Sequence, residues 1–152
     1  MKKIILTLLV FINFQLLQAQ KLEWHTDIKK AIEISNKVNK PMLLFFTGSD
    51  WCIWCKRFQK EIVEKPEFIT WANEKVVLVE LDYPRNNYQT EIVKNQNKEL
   101  LETFNVNTFP NIWFVKPIMK NEKVNYNKLG SLAYDPEGPI VWTKKANEIL
   151  VK

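Results

Sequence analysis

The chain has 152 residues, of which 46% are hydrophobic and nine are phenylalanine, so it can bury one hydrophobic core. This composition excludes an intrinsically disordered chain, which would contain far fewer apolar residues. The formal net charge of +5 is small, and the lysines are mixed with acidic residues along the sequence, which argues against a nucleic-acid-binding protein.

The first nineteen residues differ in kind from the rest of the chain. Two lysines precede an apolar run that extends to Leu17, and Ala19 supplies a small residue where a signal peptidase could cut. This order is typical of a secretory signal peptide. The alternative is an uncleaved membrane anchor, but the run is short for a membrane span and Asn13 interrupts it. We expect residues 1–19 to be removed and residues 20–152 to form one domain, exported to the bacterial periplasm or secreted.

The next stretch predicts two strands and a helix. Residues 21–24 suit a short edge strand, and a helix is expected over residues 27–39 with Thr26 as its capping residue. Pro41 prevents this helix from continuing. The run over residues 42–46 is apolar at every position, which is typical of a central strand covered by helices on both faces.

The only two cysteines of the chain, Cys52 and Cys55, follow that strand and enclose Ile53 and Trp54. Closing so short a loop removes little entropy from the unfolded chain, so the pair suits redox chemistry better than stabilisation of the fold. Apolar residues at helical spacing predict a helix from Cys52 to about Val63. Cys52 would then lie in the first helical turn, where unpaired N–H groups favour a thiolate, and Cys55 would be more buried.

The remaining sequence predicts a second series of strands and helices. The expected elements are a helical segment over residues 66–72, a strand over 76–82, a helix over 98–104, strands over 112–115 and 124–129 joined by a hairpin around 120–122, and a helix over 139–151. Four tryptophans on apolar faces are expected in the core: Trp24, Trp71, Trp113 and Trp142. Helices alternating with short strands predict an α/β fold, a three-layer α/β/α sandwich with a mixed central sheet.

Two motifs resemble those of the thioredoxin superfamily. The first spans residues 46–56, which read F-x-x-x-x-W-C-x-x-C-K, and it is followed by Pro-Glu-Phe at residues 66–68. The second is Thr108-Phe109-Pro110, immediately before an apolar strand. The resemblance covers roughly residues 27–150 and implies that the sandwich is of the thioredoxin type.

The resemblance implies a thiol–disulfide oxidoreductase, with Cys52 as the attacking thiolate and Cys55 as the resolving thiol. In the family the proline matching Pro110 has a cis peptide bond and packs beside the dithiol, and the backbone next to it pairs with an extended substrate segment. The residues expected to contact a substrate are Trp51, Ile53, Trp54, Thr108, Phe109 and Pro110. Disulfide-containing proteins are the expected partners, and a membrane-bound electron donor is a candidate for recharging the dithiol.

The sequence departs from ordinary thioredoxins in two places. Ile53 and Trp54 replace the glycine and proline between the cysteines, and the lack of a histidine at position 54 favours a reductant over an oxidant. The strand before the motif also lacks the buried acid that helps to deprotonate the resolving cysteine in thioredoxins. Asp50 and Glu80 are the candidates for that role, although each also suits a loop cap or an edge position, and water is a third candidate.

Other functions fit the same residues less well. A disulfide oxidase or isomerase uses the same dithiol, and a thioredoxin-fold chaperone would bind unfolded chains without redox chemistry, but an intact pair of thiols favours catalysis. No cofactor or metal is expected, because His25 is the single histidine and lies far from both cysteines in the sequence. Gly130 is either the glycine that the family places near the dithiol or a simple turn glycine.

Overall fold

The computed structural model describes residues 21–120 and 123–151. The predicted signal peptide and the tip of the predicted hairpin, Asn121 and Glu122, lie outside these residues. The described residues form, in chain order, β1 (Trp24–His25), α1 (Ile28–Val38), β2 (Met42–Thr47), α2 (Ile53–Phe58), α3 (Pro66–Lys75), β3 (Val77–Asp82), α4 (Glu91–Phe104), β4 (Asn111–Lys120), β5 (Lys123–Leu132) and α5 (Pro139–Leu150). Helix α2 continues directly into a π-helical segment, Gln59–Val63.

The strands form one mixed sheet in the order β1-β3-β2-β4-β5. Strand β3 runs parallel to both β1 and β2, whereas β4 runs antiparallel to β2 and to β5. Strand β2 therefore lies at the centre, and each of its six side chains is buried. The prediction of a central strand covered on both faces is confirmed.

Helices cover both faces of the sheet and make it the middle of three layers. Helices α1 and α4 pack on one face, against Leu44 and Phe46 of β2. The two cysteines, together with α2, α3 and α5, pack on the other face against Leu43 and Phe45. The side chains of β2 alternate between the faces, as the two-residue period of a strand requires. The predicted α/β/α sandwich is confirmed.

The core on the cysteine side is built around Trp142 of α5, whose side chain is fully buried. Its indole ring lies within 6.0 Å, centroid to centroid, of four aromatic rings, those of Phe58, Phe68, Trp71 and Phe114. These rings come from α2, α3 and β4, so Trp142 joins three elements to the last helix. The predicted burial of Trp71 and Trp142 is confirmed, whereas Trp24 and Trp113 are only partly buried.

The start of α1 differs from the prediction by one residue. Asp27, not Thr26, caps the helix, and its carboxylate accepts hydrogen bonds from the N–H groups of Lys29 and Lys30. Both residue types are good caps, and a carboxylate at this position also interacts favourably with the helix dipole.

Helix α4 begins at Glu91, well before the predicted start at residue 98. Thr90 caps it by accepting a hydrogen bond from the N–H of Val93 at 3.4 Å. The prediction was wrong because the first two turns are largely polar and resemble a loop. Asn97 within them is nevertheless buried, and its amide nitrogen donates to the carbonyl of Asp82 at the end of β3.

The β4–β5 hairpin is longer than the strands predicted over residues 112–115 and 124–129, since pairing continues outward as far as Lys120 and Lys123. The outer part is exposed, and Lys116 and Pro117 interrupt the apolar run from which β4 was predicted, although Ile118, Met119 and Val124 further out are apolar. Gly130 lies within β5 opposite Phe114, so its interpretation as a turn glycine was wrong. A Cβ atom at this position would lie 3.0 Å from Ile149 Cγ2, so the glycine lets β5 approach α5 closely.

Among the described residues, no helix has both the length and the apolar character needed to cross a bilayer.

Candidate active site

Cys52 and Cys55 form a disulfide at the start of α2, with their Cα atoms 5.3 Å apart. Cys52 is the N-cap residue of the helix, one position before the predicted first turn, and Cys55 lies one turn further along. The backbone N–H of Cys55 donates a hydrogen bond to the Sγ atom of Cys52 at 3.2 Å. An amide directed at this sulfur from a helix N-terminus favours its thiolate form once the disulfide is reduced.

The sulfur atoms are shielded, whereas the residues between the cysteines are exposed. The exposed fractions of Cys52 and Cys55 are 5% and 2%, so the predicted difference in burial is small. Ile53 is 67% exposed and Trp54 is 51% exposed. An apolar surface therefore adjoins a nearly buried disulfide.

Trp51 fixes the loop before the cysteines, as expected of a side chain that packs over it. Its indole N–H donates to the carbonyl of Tyr83 at 2.8 Å, and its ring meets the edge of the Phe109 ring, with centroids 5.6 Å apart. The Arg85 guanidinium lies over the indole at 4.2 Å. Gly48 is buried beneath the same indole, where any Cβ atom would collide with it.

Asp50 holds the same loop from the other side. Its carboxylate accepts hydrogen bonds from the N–H groups of Arg85, Asn86 and Asn87, at 3.1, 2.7 and 3.2 Å. These bonds, the one from Asn86 first, hold the pKa of Asp50 below its usual value. Asp50 therefore has the loop-capping role, one of the two roles predicted for it.

The Thr108-Phe109-Pro110 motif lies at the same end of the sheet as the cysteines. Strand β4 begins immediately after it, with Asn111 opposite Phe46 near the end of β2. The Phe109–Pro110 peptide bond is cis. Pro110 is buried, Phe109 is half-buried and Thr108 is exposed. The two sequence motifs are thus brought together through the contact of Phe109 with the indole described above.

A cavity of about 310 Å³ opens beside Cys55. Its walls include Phe45 of β2 and Glu80 of β3, which are paired neighbours in the sheet. Burial raises the pKa of Glu80, and repulsion by the nearby Asp82 raises it further. A titratable carboxyl group and the second cysteine therefore share one cavity.

Trp54 is oriented by a cluster of side chains that was not predicted from the sequence. The Arg57 guanidinium lies 5.2 Å from the centre of the Trp54 ring and 5.6 Å from that of Tyr134. Arg57 Nε donates to Glu61 at 3.0 Å, and the Tyr134 hydroxyl donates to the same carboxylate. The spacing of positions 54, 57 and 61 along α2 and the π-helical segment was a usable signal in the sequence. Tyr134 is too distant in the sequence to be predicted as a member of this cluster.

His25 lies buried in the edge strand β1, whereas the disulfide lies at the start of α2. Across the part of the chain that the structure describes, no group of three or more histidine, cysteine, aspartate or glutamate side chains is placed to hold a metal ion.

The structure combines a three-layer sandwich, a C-x-x-C disulfide at a helix start and a cis-proline motif at the same end of the sheet. This combination defines a thioredoxin-fold redox protein. A family model described as a thioredoxin-like domain matches residues 28–118. The chain is 33% identical over 132 residues to the disulfide bond reductase DsbH of Chlamydia pneumoniae, covering 87% of this chain and 75% of that protein. It is 34% identical over 114 residues to the thioredoxin-related protein DsbJ of the same organism, covering 71% of this chain but only 33% of DsbJ.

Solved structures of thioredoxin-fold proteins also match the chain. A structure described as the DsbH oxidoreductase matches with a TM-score of 0.76 and 32% identity, over 86% of this chain and 85% of that one. A thioredoxin from Thermus thermophilus matches with a TM-score of 0.64 over 86% and 88%, but at 14% identity it supports the fold alone. The chain belongs to the thioredoxin-like family, and it is a thiol–disulfide oxidoreductase.

Replacing Asp50 by alanine should loosen the segment over residues 85–87 while leaving both cysteines in place. Three N–H groups lose their acceptor, so we expect their amide hydrogen exchange to accelerate by roughly tenfold. The matched control is Glu67→Ala, which removes an exposed acid from the first turn of α3. Unchanged exchange in the Asp50 variant would mean that other contacts hold this segment.

Proposed function

We propose that this protein reduces disulfide bonds in exported proteins, with Cys52 as the nucleophile and Cys55 as the resolving thiol. The observation that carries the proposal is the hydrogen bond from the Cys55 N–H to the Cys52 sulfur at the helix N-cap. It distinguishes the two sulfurs, because within residues 21–120 and 123–151 only the Cys52 sulfur receives an amide hydrogen bond, which stabilises a negative charge.

In the proposed reaction, the Cys52 thiolate attacks a substrate disulfide, forms a mixed disulfide and releases one substrate thiolate. The thiolate of Cys55 then attacks the Cys52 sulfur and displaces the second substrate thiolate. Two electrons pass to the substrate, whose two sulfurs take up protons, and the protein is left with the Cys52–Cys55 disulfide. That bond is the one present in the structure, which thus corresponds to the end of the cycle.

The surface around the disulfide supports a protein substrate. Exposed Ile53 and Trp54 lie on one side, and the exposed Thr108 with half-buried Phe109 belongs to the loop that packs on Trp51. We propose that these residues contact an extended substrate segment and that the backbone next to Pro110 pairs with it. Apolar contacts that do not depend on one substrate sequence suit an enzyme that acts on several proteins.

The direction of the reaction is supported by two observations. The relative that is 33% identical is described as a disulfide bond reductase. A strong oxidant is one whose reduced form is stabilised, for example by a charge near the thiolate. Neither Ile53 nor Trp54 places such a charge between the cysteines. A reductant must be recharged, and a membrane-bound electron donor is the partner we propose for that step.

Export is proposed from the first nineteen residues, whose basic start, apolar middle and Ala19 are those of a signal peptide. Disulfides form in the compartments beyond the cytoplasmic membrane, so a disulfide reductase finds its substrates there.

Cys55→Ala is expected to accumulate mixed disulfides, because the nucleophile is retained while the resolving thiol is lost. The full chain, tagged at its C-terminus, is expressed in a bacterial host and isolated after acid quenching. Non-reducing gels should then show covalent adducts that disappear on reduction, and N-terminal sequencing should begin at Gln20. The control Cys52→Ala should trap far less, and equal trapping by the two variants would contradict the assignment of roles.

The reduction potential of the dithiol tests the proposed direction. Equilibration with glutathione buffers should give a value nearer that of thioredoxin, about −270 mV, than that of the oxidant DsbA, about −120 mV. A value close to the latter would assign the protein to the oxidases instead.

A further inference from the structure

The resolving step needs a group that accepts the proton of Cys55, since a thiolate and not a thiol attacks the mixed disulfide. The central strand supplies none on the cysteine face, where Leu43 and Phe45 are both apolar. Cys55 is 2% exposed, and a cavity of about 310 Å³ opens beside it. A side-chain proton acceptor for Cys55 would therefore have to belong to another element that borders this cavity.

The pairing of β2 with β3 brings Glu80 to the cavity beside Cys55. Glu80 is opposite Phe45 in the register of the parallel pair, and both residues line the cavity beside Cys55. Leu78, two residues earlier, belongs to the apolar cluster that contains both cysteines. Because alternate side chains of a strand point to the same face, Glu80 is directed toward α2 as well.

The other carboxylates near the site are placed differently. The Asp50 carboxylate already accepts hydrogen bonds from three backbone N–H groups. Asp82 accepts hydrogen bonds from the N–H and the hydroxyl of Ser49. Glu64 lines the cavity but is exposed, so it is well hydrated. Glu80 is the one partly buried carboxyl among the described residues that line this cavity.

The surroundings of Glu80 suit proton transfer. The charged groups that border it are Lys56 from α2, Glu64 after the π-helical segment, and Asp82 on its own strand, whereas the neighbouring Phe45 and Thr47 of β2 carry no charge. Burial and Asp82 raise the pKa of Glu80. A carboxylate with a raised pKa takes a proton from a thiol more readily than an ordinary one.

We propose that Glu80 accepts the proton of Cys55 in the resolving step and returns it to solvent through the shared cavity. This inference rests on the proposed function. The S–H bond of Cys55 breaks as the Glu80 carboxylate becomes a carboxylic acid, and the Cys55–Cys52 bond forms as the Cys52–substrate bond breaks. The electron pair of that bond leaves with the substrate sulfur, which is protonated by water. Glu80 then loses its proton, and no further reactant is needed.

The test compares Glu80→Gln with the wild-type protein and with Glu64→Gln, a matched control because Glu64 is the exposed carboxyl of the same cavity. Each reduced protein is mixed with a disulfide-bonded peptide, and acid-quenched samples are analysed by mass spectrometry. Formation of the mixed disulfide should be unchanged in all three. Its decay should be slower by roughly a hundredfold or more in Glu80→Gln near neutral pH, since general base catalysis is lost.

The pH profile separates this role from a structural one. Below its raised pKa, Glu80 is protonated and cannot accept a proton, so the wild-type protein should slow toward the variant as the pH falls. At a pH high enough for the Cys55 thiol to ionise without help, the two rates should converge again. A variant that was merely distorted would be slower by a similar factor at every pH.

Equal decay rates for Glu80→Gln and the wild-type protein at all pH values would overturn the inference while leaving the proposed function intact. A wild-type protein that forms no mixed disulfide would instead overturn the proposed function. If Glu80→Gln does not fold, carbon-13 titration of the Glu80 carboxyl in the wild-type protein decides the matter. Its pKa should differ between the dithiol and disulfide states, and an identical pKa in both would reject the proposed coupling.

Discussion

The proposed chemistry of this protein depends on one hydrogen bond, in which the N–H of Cys55 donates to the sulfur of Cys52 at the start of α2. That contact exists because Cys52 caps the helix while Cys55 lies one turn later, so the backbone that positions one cysteine also polarises the other. The fold serves to keep this helix start fixed. Phe58, on the same helix, is fully buried between Phe45 of the central strand and Trp142 of the last helix.

The loop between the central strand and the cysteines is fixed by contacts on two sides. Asp50 accepts three backbone hydrogen bonds from one side, and the Trp51 indole is fixed by a carbonyl, a guanidinium and an aromatic ring from the other. Gly48 allows the Trp51 indole to lie in this position, because no larger residue fits beneath the ring. These contacts keep the helix start in place beside the exposed Trp54.

Much of this arrangement could be predicted from the sequence, because the signals were local. An apolar strand, a helix start with two cysteines and a proline motif before a second strand each lie within a few residues, and their order identified the family. The failures arise where contacts between elements stabilise segments that lack a clear sequence pattern. Helix α4 begins early because polar residues such as Asn97 are buried against the end of β3. The outer β4–β5 hairpin continues by strand pairing beyond Pro117, which interrupts the apolar run of β4.

The roles of the acidic residues could not be separated from sequence alone. Asp50 and Glu80 were equivalent candidates by position, and only the β2–β3 register places Glu80 beside the Cys55 cavity while Asp50 is directed at the segment over residues 85–87. The cluster around Trp54 was missed for a similar reason, since Tyr134 reaches it only once the sheet and α5 are assembled. Tertiary register carries this information, and a single sequence does not show it.

The pH dependence of Cys52 alkylation in the reduced protein tests this account most directly. Mass spectrometry after short exposure to iodoacetamide gives the rate for Cys52 separately from that for Cys55. If the amide stabilises the sulfur anion as the geometry indicates, Cys52 should react with a pKa well below the ordinary thiol value of about 8.5. A rate that follows an ordinary thiol titration, or one that is faster at Cys55, would contradict the account.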